Sequence, residues 1–167
     1  VPIGDRLTAA ASFSFGKIFT LGQGSNVPVN RRFFAGGRST VRGYPERALL
    51  PQAVDLDPAT GTASSNISTG GLLFLALKSE LRISVYGPLA LALFYDVGDL
   101  YEDGKLAFRT TRQVGGRTIT RSLAHGGGVG LRVATPVGPL AIDLAVPFNR
   151  RDPVLNDVQL HFAVGTF

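Results

Sequence analysis

The chain contains no cysteine. That excludes disulfide stapling and thiolate metal sites. Long apolar runs are also missing. No window approaches the about 18 apolar residues of a transmembrane helix, although the mean hydropathy of +0.18 is high for a chain with 17% charged residues. Val1 does not begin a signal-peptide pattern, so an exported protein would appear here as a mature chain or a fragment. Acid is scarce relative to base, with 12 Asp and Glu against 17 Lys and Arg and a formal charge of +5. A basic chain of this kind raises the question of nucleic acid. Most of the cations, however, fall in segments that read as loops, among them Arg31, Arg32, Arg38, Arg47, Lys105, Arg150 and Arg151. No strand carries a basic stripe with interleaved aromatics, so the usual footprint of nucleic-acid binding is absent.

Catalytic patterns are equally scarce. His125-Gly126-Gly127-Gly128 is similar to a lipase oxyanion motif, but no Gly-x-Ser-x-Gly accompanies it and the segment is strand-like. Its glycines are expected to thin a sheet wall. Gly36-Gly37-Arg38-Ser39-Thr40 lacks the lysine and spacing of a phosphate-binding loop. His125 and His161 stand alone, without metal-ligand spacing. The expectation is a non-enzyme with no metal and no cofactor.

What the chain does have is alternation with period two, the mark of a strand. Leu7 to Gly16 sets Leu7, Ala9, Ala11, Phe13 and Phe15 against Thr8, Ala10, Ser12, Ser14 and Gly16. Leu72 to Val85 sets Leu73, Leu75, Leu77, Leu81, Ile83 and Val85 against Phe74, Ala76, Lys78, Glu80, Arg82 and Ser84. The device recurs over Leu89 to Leu100, Leu123 to Thr135, Leu140 to Val146 and a last strand from Val158 to Phe167. Tyr86-Gly87-Pro88 and Pro136-Val137-Gly138-Pro139 are tight turns. The other connections are long, and the one from Tyr101 to Ser122 has room for a short hairpin around Gly115-Gly116. Six strands joined alternately by long and short connections match a transmembrane barrel, with long loops on one side of the membrane and short turns on the other. Strands of about 10 residues suit a tilted crossing of the bilayer. A soluble sandwich would show the same alternation with the apolar face as its core.

The longest connection, roughly Gly22 to Gly70, holds the stretch Arg31-Arg-Phe-Phe-Ala-Gly-Gly-Arg-Ser-Thr-Val-Arg-Gly-Tyr44. Loops of this length are uncommon unless functional or disordered, and Phe33, Phe34, Val41 and Tyr44 predict a loop that packs on something. Gly36, Gly37 and Gly43 offer backbone freedom there. Phe33 to Gly37 together with Val41 to Tyr44 resembles a signature of the BamA/TamA family of outer-membrane assembly barrels, with spacing and flanks nearer the TamA, surface-antigen type. Glu80-Leu81-Arg82, Phe94-Tyr95-Asp96-Val97-Gly98, and Thr135 to Leu140 with Asp143 resemble later strands and the last turn of that family. Leu160, Phe162, Val164 and the terminal Phe167 resemble its C-terminal barrel signal.

The resemblance implies an all-β, antiparallel transmembrane β-barrel, of which residues 1–167 are the six C-terminal strands. The closed barrel would hold about sixteen strands, and the missing strands and the periplasmic POTRA domains would come from the same parent chain or from other copies. It implies a loop at about 22–70 inserted into the lumen, with the motif Phe33, Phe34, Gly36, Gly37, Val41, Arg42, Gly43 and Tyr44. It implies that Arg42 reaches acidic residues on the wall, and strand parity separately places Glu80 and Asp96 on the polar face of adjacent strands, with Asp143 a further acid. Lys78, Arg82 and Arg132 are expected to be ordinary charges of a watery interior. The implied partners are outer-membrane lipid, client outer-membrane proteins or autotransporters. The loop arginines Arg109, Arg112, Arg117 and Arg121 are candidates for lipopolysaccharide phosphates, with plain solubility as the alternative. The absence of cysteine suits passage through an oxidising periplasm. The implied function is outer-membrane protein assembly or translocation by strand pairing and local membrane perturbation. The alternatives are a passive outer-membrane pore or surface antigen, or a soluble β-sandwich binding module.

Overall fold

A computed structural model of the chain describes residues 1–21, 27–51, 68–102, 105–106, 109–114, 117–136, 138–149 and 158–165. The alternating segments form one antiparallel six-stranded sheet. Its members are β1 (Leu7–Lys17), β2 (Leu73–Tyr86), β3 (Leu89–Tyr101), β6 (Ala124–Thr135), β7 (Gly138–Pro147) and β8 (Gln159–Val164), in that spatial order. Between β3 and β6, strands β4 (Arg109–Val114) and β5 (Arg117–Ser122) pair as a separate hairpin. This hairpin flanks Gly115-Gly116, and those two residues lie outside the described ones. The sheet is not closed: among the described strands, β1 and β8 are its two edges. Val1 to Ile3 fold back along β1, with Val1 and Ala9 exchanging hydrogen bonds.

Parity decides which residues share a face, and the packing decides which face is covered. The apolar face is largely open. Leu77, Leu81, Leu91, Leu93, Val129, Leu144 and Phe162 are exposed, Leu93 to 57% and Phe162 to 64%. Among the described residues it is covered at its loop end, where Leu73, Leu75 and Tyr101 bury with Leu123 against them, and at Gly127 under the Phe148 ring. The polar face is the packed one. A soluble sandwich would bury the apolar face as its core, and this chain does the reverse.

The loop after β1 crosses the polar face. It starts with a single 3-10 turn, Val29–Arg31, and joins the sheet through reciprocal backbone bonds between Phe33 and Gly71. Ala35, Val41, Tyr44 and Leu49 then bury against Leu100 and Ala124 of the wall, with Phe33 and Phe74 at the margin. This small apolar core sits at the loop end of the sheet, and the charged cluster lies next to it toward the middle of the strands. Residues 22–26 and 52–67 of the same connection lie outside the described residues.

Candidate functional site: a loop arginine clamped to the wall

Two glycines shape the loop. Gly36 and Gly37 take φ of 101° and 84°, a region that favours glycine. The reversal they make is closed by Thr40, whose Oγ1 accepts from the Gly36 N–H at 2.8 Å, and by the Gly37 N–H, which donates to the Tyr44 carbonyl at 2.8 Å. Gly43 differs from the expectation of backbone freedom, since it is not among the positive-φ glycines. It is needed for space: a Cβ there would lie 2.8 Å from the Val146 carbonyl oxygen. Gly98 and Gly126 give the matching space on the wall. A Cβ on Gly98 would meet the Val41 side chain at 2.9 Å, and one on Gly126 would meet Gly43 Cα at 3.1 Å. Of the three glycines after His125, Gly126 thus seats the loop, whereas Gly127 lies under the Phe148 ring and Gly128 beside Phe94.

With Val41 over Gly98, the next residue falls at the level of Asp96. The Arg42 guanidinium donates from Nε to Asp96 Oδ2 at 2.7 Å and from Nη2 to Asp96 Oδ1 at 2.8 Å. Its Nη1 donates to Glu80 Oε2 at 2.7 Å. The Arg42 backbone N–H also donates to Asp96 Oδ2, at 3.1 Å. The guanidinium carbon lies 3.6 Å from the centre of the Phe94 ring. Arg42 is 3% exposed and Asp96 not at all. Burial disfavours the Arg42 charge, but the hydrogen bonds and charges of Asp96 and Glu80 outweigh it and raise its pKa further.

The cluster extends beyond these three residues. Arg132 donates to both oxygens of Glu80, at 3.1 and 2.9 Å, and to Asp143 Oδ1 at 2.5 Å. Arg82 donates to Glu80 Oε1 at 2.7 Å, and the Lys78 ammonium donates to the Arg38 carbonyl at 2.7 Å. Asp143 Oδ2 lies 3.5 Å from Arg42 and 3.9 Å from Arg38. The expectation of ordinary solvated charges at Lys78, Arg82 and Arg132 is therefore corrected, because each makes a direct bond inside the cluster. Fork-shaped Arg–carboxylate pairing of this kind is both strong and directional.

Tyr44 anchors the far side of the motif. Its hydroxyl bonds the Asn149 carbonyl and lies 3.0 Å from Asn149 Oδ1. Asn149 in turn accepts from the His125 N–H at 2.9 Å and donates to the Leu123 carbonyl at 2.6 Å. Phe34 lies under the Arg47 guanidinium, at 4.3 Å. His161 of β8 completes the set with a bond to the Arg42 carbonyl at 2.8 Å. Asn149 escaped the sequence reading, and so did the parts that Phe94, named there only within a family motif, and His161, named only as a lone histidine, play in this site. Only Phe94 and His161 carried a signal, their place on the polar face of a strand.

Of the barrel-signal residues, Leu160, Phe162 and Val164 lie on the open apolar face of β8. Phe167 lies outside the described residues. The side chains of Arg109, Arg112 and Arg117 also lie outside what is described. Arg121 donates to the Pro51 carbonyl at 3.4 Å.

The whole chain, residues 1–167, matches the model of the Omp85 superfamily domain. The chain belongs to the Omp85 superfamily. Among its curated relatives, the "outer membrane protein assembly factor BamA" of Nitratidesulfovibrio vulgaris is 30% identical over 156 residues, which is 91% of this chain and 17% of that protein. The BamA of Neisseria meningitidis serogroup B is 24% identical over 163 residues, 87% of this chain and 20% of that protein. This Omp85 chain thus spans about a fifth of the length of these relatives. In fold it is similar to the crystal structure of Haemophilus ducreyi BamA lacking POTRA domains 1–3, with a TM-score of 0.67 and 18% identity over 97% of this chain and 32% of that one. The expectation of a chain nearer the TamA type is not matched by the names of these two relatives, which are both BamA.

Proposed function

We propose that this chain is one arc of a larger closed barrel in the bacterial outer membrane, and that the barrel helps other outer-membrane proteins to insert or cross. One observation carries the reading. Most apolar side chains of the six strands are uncovered, while a loop and its ion pairs fill the polar side. In water such a face would be an association hazard. Against lipid it is the required surface, and the polar side becomes the lumen. The membership in the Omp85 superfamily and the names of the relatives support the assembly role, and those names favour the BamA branch over TamA.

In this reading residues 27–51 and 68–70 are the described part of a lumen loop at about 22–70, and the strands beyond β1 and β8 come from the same parent chain or from other copies. Clients are outer-membrane proteins or autotransporters. No bond-making chemistry is assigned to the barrel, which is no enzyme. A client strand would add to an unsatisfied strand edge by β-augmentation, with β8 as one side of the opening and the clamped loop bracing the wall behind it. Lipid, and lipopolysaccharide at the hairpin arginines, are the surrounding partners.

The experiment is site-directed crosslinking in the membrane-embedded full-length protein. Leu160→Cys on β8 is paired with single cysteines along the last strand of a client arrested during assembly. Crosslinks that follow strand register support the reading. Their absence, together with a large steady single-channel conductance, would replace it by the passive pore. A fully paired β8 in every functional state would also count against it.

A further inference from the structure

The Arg42 carbonyl and His161 Nε2 are 2.8 Å apart. A carbonyl offers no proton, so Nε2 carries the hydrogen and donates. The bond joins residues 119 apart in the chain, one on the loop and one on an edge strand. We propose that His161 is a positioning residue that latches β8 to the inner loop, so that loop docking and the placement of β8 are coupled.

Three observations lead there. First, β8 is the weakest strand of the sheet by length, six residues against ten to fourteen for the others, and β7 is its only strand neighbour among those described. Second, the residues of β8 that share the polar face are Gln159, His161 and Ala163, so His161 is the one ionisable side chain that described β8 brings to it. Third, its cross-strand partner is Asp143, whose carboxylate instead faces Arg132 and Arg42. The ring is left to the loop backbone.

Arg42 is then held from two directions, its side chain by β2 and β3 and its carbonyl by β8. Moving β8 away strips the part-buried Arg42 carbonyl of a donor, and lifting the loop strips the imidazole of its acceptor. Coupling of this kind is reciprocal by linkage. Its meaning for assembly rests on the proposed role of β8, whereas the coupling itself does not.

The test uses the full-length protein in outer membranes, with any other cysteine replaced. Ala35→Cys places a small thiol in the loop core, where Ala35 is 1% exposed, and its rate of maleimide labelling reads loop undocking. His161→Leu is expected to raise that rate roughly two- to tenfold, the span of one net hydrogen bond. His161→Gln, which keeps an N–H donor, is expected to stay near the parent rate. Equal rates for His161→Leu and the parent, or a His161→Gln rate as high as that of His161→Leu, would overturn the proposal. A second measurement needs no variant at His161. Nitrogen NMR of selectively labelled histidine should find this ring with its hydrogen on Nε2, and an Nδ1–H tautomer would overturn the proposal. Client assembly is read separately. A His161→Leu protein with faster labelling and unchanged assembly would keep the latch and remove β8 from the proposed mechanism.

Discussion

Arg42 and Asp96 meet through three hydrogen bonds, and one of them comes from the Arg42 backbone. A side-chain pair alone would let the loop shift while the charges stayed in touch. The added backbone bond fixes the main chain of the loop against β3. Glu80 then receives the remaining edge of the fork and shares itself with Arg132 and Arg82. The loop is thus attached to a network on β2, β3, β6 and β7.

Removing Arg42 should be severe. Arg42→Ala leaves Asp96 buried without its counter-charge, a loss of about 3–5 kcal/mol for a pair of this kind. The thermal midpoint of the folded barrel in lipid or detergent is expected to fall accordingly. Arg42→Lys keeps the charge and loses the fork, and its midpoint should lie between those of Arg42→Ala and the parent. Arg42→Ala combined with Asp96→Asn should be less destabilised than the sum of the single changes.

Filling the wall glycines should lift the loop without touching a charge. Gly98→Ala brings a methyl to 2.8 Å from the Leu75 carbonyl and 2.9 Å from Val41, and Gly126→Ala brings one to 2.7 Å from the Val146 carbonyl. Overpacking of this sort costs about 1–3 kcal/mol. Faster maleimide labelling of Ala35→Cys in both variants is the expected result, and an unchanged rate would mean that the loop does not rest on those glycines.

Tyr44 and Asn149 should behave as one unit. Tyr44→Phe loses the bonds to Asn149 and should lower stability by about 0.5–1.5 kcal/mol. Asn149→Ala should cost more, since it also strips the His125 N–H and the Leu123 carbonyl of their partner. Denaturant titration of the two single variants and the double variant checks this, with the double falling short of additivity.

The open apolar face should be intolerant of charge only in lipid. Leu93→Arg, in the middle of β3, is expected to cost about 2–4 kcal/mol on refolding into vesicles. Leu21→Arg, on an exposed loop residue, should stay within about 0.5 kcal/mol. Equal tolerance at both positions would show that Leu93 does not face the bilayer.

Much of the architecture was written in the chain at short range. Period-two alternation marks β1, β2, β3, β6 and β7 within a residue or two of their ends, because a strand's side chains alternate by geometry alone; β8 starts one residue later than expected and ends at Val164 rather than Phe167. The hairpin at Gly115-Gly116 was legible only as room for one. The Phe-Phe-Ala-Gly-Gly and Val-Arg-Gly-Tyr motif identified the loop, and parity set Glu80, Asp96 and Asp143 on one face. The direct bonds of Lys78, Arg82 and Arg132 were not legible, since a charge on a polar face reads the same whether solvated or paired.

The strands, the faces, the alternation of long and short connections and the place of the arginine-bearing loop all follow from local residue patterning. The tertiary structure alone decided which face is covered. It also decided that Tyr44 meets Asn149 at a separation of 105 residues and His161 meets the Arg42 carbonyl at 119, and it set the geometry by which Arg42, expected to reach a wall acid, holds Asp96 through its side chain and its backbone. The reason is that alternation is a local property of extended backbone. Contacts across the sheet depend on the register of six antiparallel strands and on how closely glycine lets a loop approach them.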